Sequence, residues 1–430
     1  MGIVGGGQLA WMLAEAADGL GVELHVQTPN GDDPATRRAS SVVEAALDDV
    51  GGTRLLAERC GAVSFENEWI SLQALAPLAA EGVEFVPSLQ ALEPLVDKCR
   101  QRQLLDALHL PSLRWCCLEA TLMPPEPPPQ GDDESVASDT MLSGSGWTAV
   151  VSQPAGHDGE PQPQDPRLPE GFRFPLMAKA ASGGYDGRGT RVLHDQAELE
   201  ALVAEVDPAG WILEELVRFE QELALVACRD RQGRLELFPL VQTHQHRQVC
   251  DWVLFPAEVD HAVEVFARNV ACSLLTALDY VGVISIEFFY GPGGLQINEL
   301  APRTHNSGHY TIEACHASQF EQQVRIVTGL PMGSTQPRLA AALMVNLLGS
   351  SDSASPEVLE ERLQRLRQLP GVQVHWYGKC GQRPGRKLGH LTIALQAGSA
   401  EERRSECRRW LEQVRAIWPR FDGPLTTDAA

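Results

Sequence analysis

Ten cysteines are scattered through the chain without a single CxxC pair, which excludes a zinc knuckle or a small disulfide-stapled scaffold. Positive charge is scarce: 35 Lys and Arg stand against 57 Asp and Glu, a formal charge of −22. So acidic a surface repels nucleic acid and anionic membranes, and leaves only a local basic pocket for a small phosphorylated ligand. No run reaches the roughly 18 apolar residues of a membrane-spanning helix. The start, MGIVGGGQLAWML, lacks the basic region and cleavage pattern of a secretory signal. A cytoplasmic protein with neither nucleic-acid nor membrane partner is expected. The GxxxxGK[ST] pattern is missing too, so any nucleotide must be held by a device other than a P-loop.

What is present is enough apolar sequence, 43% of 430 residues, to bury two or three cores. The chain opens as strand, glycine turn and helix: GIV, GGG, then QLAWMLAEAADGLG. Strands at VELHVQT and GAVSFEN follow, the latter after a helical VGGTRLLAERC, and this alternation predicts a parallel sheet. Gly5, Gly7 and Ala10 match the GxGxxA dinucleotide fingerprint, yet the second strand ends VQTP without the required acid. A tight turn without a cofactor, or one lining another substrate's phosphate, is the preferred reading.

A helix is predicted over 97–110, stopping at Pro111. Residues 119–170, rich in proline and acids, read as an insertion with a short strand at GWTAVV. Order resumes at 174 with the strand FPLMAKA and the glycine loop SGGYDGRGTRVL. A helix over 261–279 carries Val263, Phe266, Val270, Leu274 and Leu278 on its apolar side. VGVISIEFFY and GLQINEL form a hairpin about GPGG, and a helix at 353–367, two strands and a final helix complete the pattern.

Three places concentrate chemistry. In the hairpin, a turn centred near Gly293 sets Glu287 opposite Glu299, and directly paired side chains lie about 5 Å apart. Two acids among phenylalanines and leucines repel unless a divalent cation such as Mg²⁺ joins them, or unless both simply remain solvated. Asn298 points to the other face in regular pairing, though a bulge would bring it nearby. In the glycine loop, Lys179 ends an apolar strand and Gly183, Gly184, Gly187 and Gly189 surround Tyr185, Asp186 and Arg188. Glycines let backbone N–H groups approach phosphate oxygens beside a lysine, although an ordinary glycine hairpin has the same composition. Near the end, Lys379, Arg383, Arg386 and Lys387 form a basic island without acids, suited to a phosphate or to a solvated turn. Loop and carboxylate pair together point to ATP with Mg²⁺.

GGYDGRG, INELAPRTHNSGHY and RPGRKLGH, in this order, resemble the signatures of the 5-(carboxyamino)imidazole ribonucleotide synthase family, ATP-grasp ligases of purine biosynthesis. GGGQLA and LHLP at 108–111 have counterparts there as well. The resemblance spans nearly the whole chain outside the proline-rich insertion. It implies a mixed α/β and α+β ATP-grasp fold in a homodimer. An N-terminal parallel-sheet domain would cover 1–96, the ATP-grasp region 97–345 with its insertion at 119–170, and a small C-terminal domain 346–422, before a frayed tail at 423–430. The implied reaction joins bicarbonate to 5-aminoimidazole ribonucleotide, with ATP becoming ADP and phosphate through carboxyphosphate.

The same resemblance distributes the residues. Lys98 and Lys179 would contact ATP phosphates, helped by Gly183, Gly184, Gly187, Arg188 and Gly189. Glu214, Glu215 and Val217 would lie beside adenine, Glu222 at the ribose, and Asn298 on the nucleotide side. Glu287 and Glu299 would hold magnesium. Glu68, Tyr185, Arg188, His305, Asn306, Lys379, Arg386 and Lys387 would face the substrate. Asp186, Arg303 and Lys387 would act at the reacting end, Asp186 handling the amine proton. Trp11 and Arg102 depart from the arginine and lysine frequent in the family, and Thr243, His244 and His246 match no family pair cleanly. A formate-using glycinamide ribonucleotide transformylase and a non-catalytic nucleotide-binding protein are the alternatives.

Overall fold

Short apolar strands separated by helices can pair only in parallel, each return running through a helix. Such a sheet forms the N-terminal layer of the computed structural model, which describes residues 1–122, 168, 171–184, 189–350, 354–379 and 381–421. Its strand order is Ser41–Glu44, His25–Thr28, Gly2–Val4, Val63–Phe65, every pair parallel. Ser41–Glu44 escapes the sequence reading because two valines between serines and an acid make too short an apolar run. The GWTAVV strand lies outside the described residues, as do Tyr185, Asp186, Gly187 and Arg188.

A small antiparallel sheet joins Trp115–Cys117, Trp211–Glu215, Leu176–Ala180 and Thr190–Leu193. A nine-stranded antiparallel sheet runs from the Gly294–Ala301 edge through Gly282–Gly291, Gln221–Arg229, Val241–His246, Val249–Phe255, Ala342–Leu348 and Lys387–Ala394 to Val372–Trp376, with Leu235–Leu237 branching off Gln221–Arg229 as the ninth strand. Ala342–Leu348 crosses the expected 345/346 boundary and pairs on both sides, so the last segment continues the central sheet.

The elements are locally well specified. Asp97 caps the Lys98–Ala107 helix by accepting from Arg100 N at 3.0 Å. Ser318 and Glu321 form a reciprocal capping box on Gln319–Thr328, which ends at Gly329 with φ 73°. One apolar core runs from Ile3 and Leu13 through Phe320 and Val324 to Met344 and Tyr377, so the N-terminal layer is welded to the central sheet. In the His261–Ala277 helix the packed stripe is Ala267, Val270, Ala271, Leu274 and Leu275. Phe266, expected inside, is 46% exposed: the small residues Ala267 and Ala271 let the helix approach the sheet closely and turn the phenylalanine outward.

Candidate active site

All three layers contribute to a cavity of about 890 Å³. The Gly282–Gly291 and Gly294–Ala301 hairpin supplies one wall. Glu287 pairs with Glu299 across it, as the sequence predicts, but by a different route. Gly291 pairs with Gly294, so the turn is Pro292–Gly293, and that register alone would set Asn298 opposite Glu287. A one-residue bulge at Asn298 restores the acid pair and also turns Asn298 toward the cavity, where its Oδ1 accepts from Lys179 Nζ at 3.1 Å.

Around the pair the charges are braced. Lys98 Nζ donates to Glu299 Oε1 at 2.5 Å. Burial alone would raise Glu299, but Lys98 and then Lys179 and His305 outweigh it and hold the carboxyl at about 2. Glu287 is less firmly held: burial, then Glu299 and Glu222, push it up to about 8 against the opposing pull of Lys387 and Lys98. His305 Nδ1 lies 3.7 Å from Glu287 Oε1. Among the described residues no cluster of three or more His, Cys, Asp or Glu exists, so a cation here would have two carboxylates from the chain. Hard oxygen donors on a buried, mutually repelling pair fit Mg²⁺, which keeps waters and phosphate oxygens as its other ligands.

Glu214, expected beside adenine, is 1% exposed and lies between Lys179 Nζ at 2.6 Å and the Arg102 guanidinium at 2.6 Å. Its carboxylate pairs with both cations and so orients Lys179, and Glu214 also lines the cavity. Losing Glu214 would leave two buried cations facing each other without their shared anion, at a cost of about 3–5 kcal/mol. Burial, reinforced by Arg102 and Lys98, lowers Lys179 despite Glu214. Glu215, Val217, Glu222, Gly184 and Gly189 line the same cavity. Gly183 precedes Gly184 at φ 73° but does not itself line the cavity. Burial raises Glu222 to about 7.

Two residues of this wall were missed. Phe219 and Phe289 stack at 4.5 Å between ring centroids and both line the cavity, giving it a flat apolar plate. Phe289 was legible, since it lies two positions beyond Glu287 on the same strand face. Phe219 sits in a connection and carries no periodic signal.

The opposite wall is basic. Lys379, Arg383, Arg386 and Lys387 all line the cavity. Their loop is closed by Tyr377 N donating to Leu388 O at 3.1 Å, and pinned by Gly349 N to Arg386 O at 2.8 Å. A Cβ on Gly349 would lie 2.3 Å from Arg383 O, so only glycine permits this approach. Lys379 Nζ donates to Gln8 Oε1 at 2.5 Å, tying the loop to the N-terminal layer.

Between the walls, Arg303 Nε donates to Glu68 Oε2 at 2.6 Å. The two histidines of THNSGH part company. His305 lines the cavity, whereas His309 is fully buried against His390. Asn306, 3% exposed, exchanges hydrogen bonds with Asn346 at 3.0 and 2.7 Å and thereby braces the turn. The glycine turn at the start is filled from within: Glu66 accepts from Gly7 N at 2.6 Å and Leu9 N at 3.0 Å, at the start of the Gln8–Gly19 helix. Gly5, at φ 127°, has room for no Cβ, which would meet Glu66 at 2.4 Å.

Three families match in sequence. Residues 1–95 match the ribonucleotide synthetase preATP-grasp domain, 163–320 the ATP-grasp domain, and 342–404 the phosphoribosylaminoimidazole carboxylase C-terminal domain. N5-carboxyaminoimidazole ribonucleotide synthase of Synechococcus elongatus is 43% identical over 422 residues, covering 98% of this chain and 96% of its own. The Aspergillus clavatus synthase solved with ATP is 27% identical, with a TM-score of 0.78, covering 97% of this chain and 98% of its own. The same synthase with ADP and 5-aminoimidazole ribonucleotide gives 26% identity and a TM-score of 0.77, covering 96% and 98%.

Proposed function

The chain belongs to the N5-carboxyaminoimidazole ribonucleotide synthase family of ATP-grasp ligases, and from that premise we propose that it uses ATP to carboxylate 5-aminoimidazole ribonucleotide with bicarbonate. One observation carries the reading: a paired-acid wall and a basic wall line one cavity of about 890 Å³. The acid wall suits a cation-bound triphosphate and the basic wall a ribonucleotide phosphate.

Lys98 and Lys179 neutralise ATP phosphates at the Gly183–Gly184 and Gly189 backbone, while Phe219 and Phe289 flank the base and Glu222 the ribose. Glu287 and Glu299 would hold Mg²⁺, which when bound supplies charge neutralisation on the phosphates. Bicarbonate oxygen attacks the γ-phosphorus, ADP leaves, and carboxyphosphate results. The exocyclic amine then attacks the carboxyl carbon, forming the C–N bond as phosphate leaves. Positioning and charge neutralisation supply most of this rate. Arg303, oriented by Glu68, is assigned to neutralise the charge that develops on a carboxyphosphate oxygen. Lys379, Arg386 and Lys387 hold the ribonucleotide phosphate, with Lys387 also within reach of the reacting end. Asp186 is assigned the amine proton, and Tyr185 and Arg188 the junction of the two substrates, on their motif alone. The homodimer and the cytoplasmic setting rest on the family resemblance.

Omitting substrates in turn tests the whole. ADP release should require both 5-aminoimidazole ribonucleotide and bicarbonate. Release driven by glycinamide ribonucleotide and formate, or ATP binding without turnover, would defeat the assignment.

A further inference from the structure

The Gly294–Ala301 strand is the edge of its sheet; where another strand would lie it meets one face of the Lys98–Ala107 helix and the Pro111–Ser112 segment beyond it, with Ile297 N donating to Pro111 O at 2.8 Å. Lys98, Gln101 and Arg102 fall at i, i+3 and i+4, so they share that face. Together they grip four consecutive strand residues. Arg102 Nη1 donates to Ile297 O at 2.8 Å and Nη2 to Asn298 O at 2.7 Å. The Gln101 amide donates to Leu300 O at 3.0 Å and accepts from Leu300 N at 3.3 Å. Lys98 reaches the Glu299 carboxylate.

Ile297 and Asn298 are where the ladder slips by one residue. A bulge leaves backbone groups without ladder partners, and such groups are not left bare when buried. Arg102, 4% exposed, satisfies both carbonyls with one planar fork. Its Nε also donates to Glu214 Oε1 at 2.7 Å, and Glu214 in turn holds Lys179. Without the bulge, the Pro292–Gly293 turn would set Asn298 opposite Glu287 and send Glu299 to the other sheet face.

We infer that Arg102 is a positioning residue: its guanidinium fixes the Asn298 bulge, and so creates the Glu287–Glu299 pair and places Lys179 beside it. The inference rests on the reading of that pair as the magnesium ligands. A lysine at this position, a point charge on a flexible stem, would hold two carbonyls and a carboxylate less rigidly than the planar fork does.

The test is a Mn²⁺ titration of the full chain with a non-hydrolysable ATP analogue, free Mn²⁺ being followed by electron paramagnetic resonance. Arg102→Met should weaken the apparent Mn²⁺ affinity by about 10-fold or more, as removal of groups supporting metal ligands does. Arg102→Lys should fall between it and the parent. The KM for 5-aminoimidazole ribonucleotide should stay within about twofold. Circular dichroism reports folding, and if Arg102→Met does not fold, Arg102→Lys decides, since it keeps the charge beside Glu214. Parent-like Mn²⁺ affinity in the deciding variant would overturn the inference. So would equal losses in Mn²⁺ affinity and ribonucleotide KM. Failure of the parent chain itself to bind Mn²⁺ would instead overturn the reading of Glu287 and Glu299, and the inference with it.

Discussion

The two walls of the cavity are built on different principles. On the hairpin wall, charges ride on paired strands, and a shift of one residue would carry Glu299 to the opposite face. On the basic wall, charges ride on a loop whose shape depends on its closure at Tyr377 and on the space left by Gly349. The first fixes direction to within a fraction of a side chain, as ion and phosphate chemistry demands. The second fixes only a neighbourhood, which suffices to hold a substrate phosphate. Strand register buys precision, and loop closure gives reach.

Breaking the hairpin wall should have the largest effect. Glu299→Gln should lower kcat by about 10²–10³, the range for removing one preorganised electrostatic contact. Circular dichroism should change little, and a near-normal rate would remove the distinction between the walls. On the basic wall, Arg386→Ala should raise the KM for 5-aminoimidazole ribonucleotide by about 10-fold, the scale of one charge-assisted contact. The KM for ATP should remain within about twofold, and equal rises in both would merge the two walls into one site.

The smallest effect is on pH. Glu287, pushed up to about 8, retains its proton at neutral pH, and an entering cation must displace it. Apparent Mg²⁺ affinity should therefore rise by at most about 10-fold per pH unit toward pH 8 and flatten above it. Because this carboxyl titrates higher folded than unfolded, the ion-free protein should lose stability from pH 4.5 up to about pH 8. A flat Mg²⁺ profile would indicate that Glu287 is already ionised.

The sequence was most legible where local periodicity coincides with function. Glu287, Glu299 and Lys179 sit on strands with clear apolar alternation, and the basic island stands out against an acidic chain. The sequence left the bulge at Asn298 open beside regular pairing, because Arg102, which holds the carbonyls there, is distant in sequence and reaches across from a helix. The role of Glu214 was hidden for the same reason: its partners, Lys179 and Arg102, converge only after the small sheet has formed and a helix has packed against it. The Val249–Phe255 and Ala342–Leu348 strands are nearly continuous apolar runs, and a period of two cannot be read from them.

Glu66 on the opening glycine turn has a consequence for ligand selection. Its carboxylate is tethered to the sheet, so it meets the backbone amides of Gly7 and Leu9 at an effective concentration that no freely diffusing anion can match. A dinucleotide phosphate would have to displace this side chain before it could reach the turn that resembles a cofactor fingerprint.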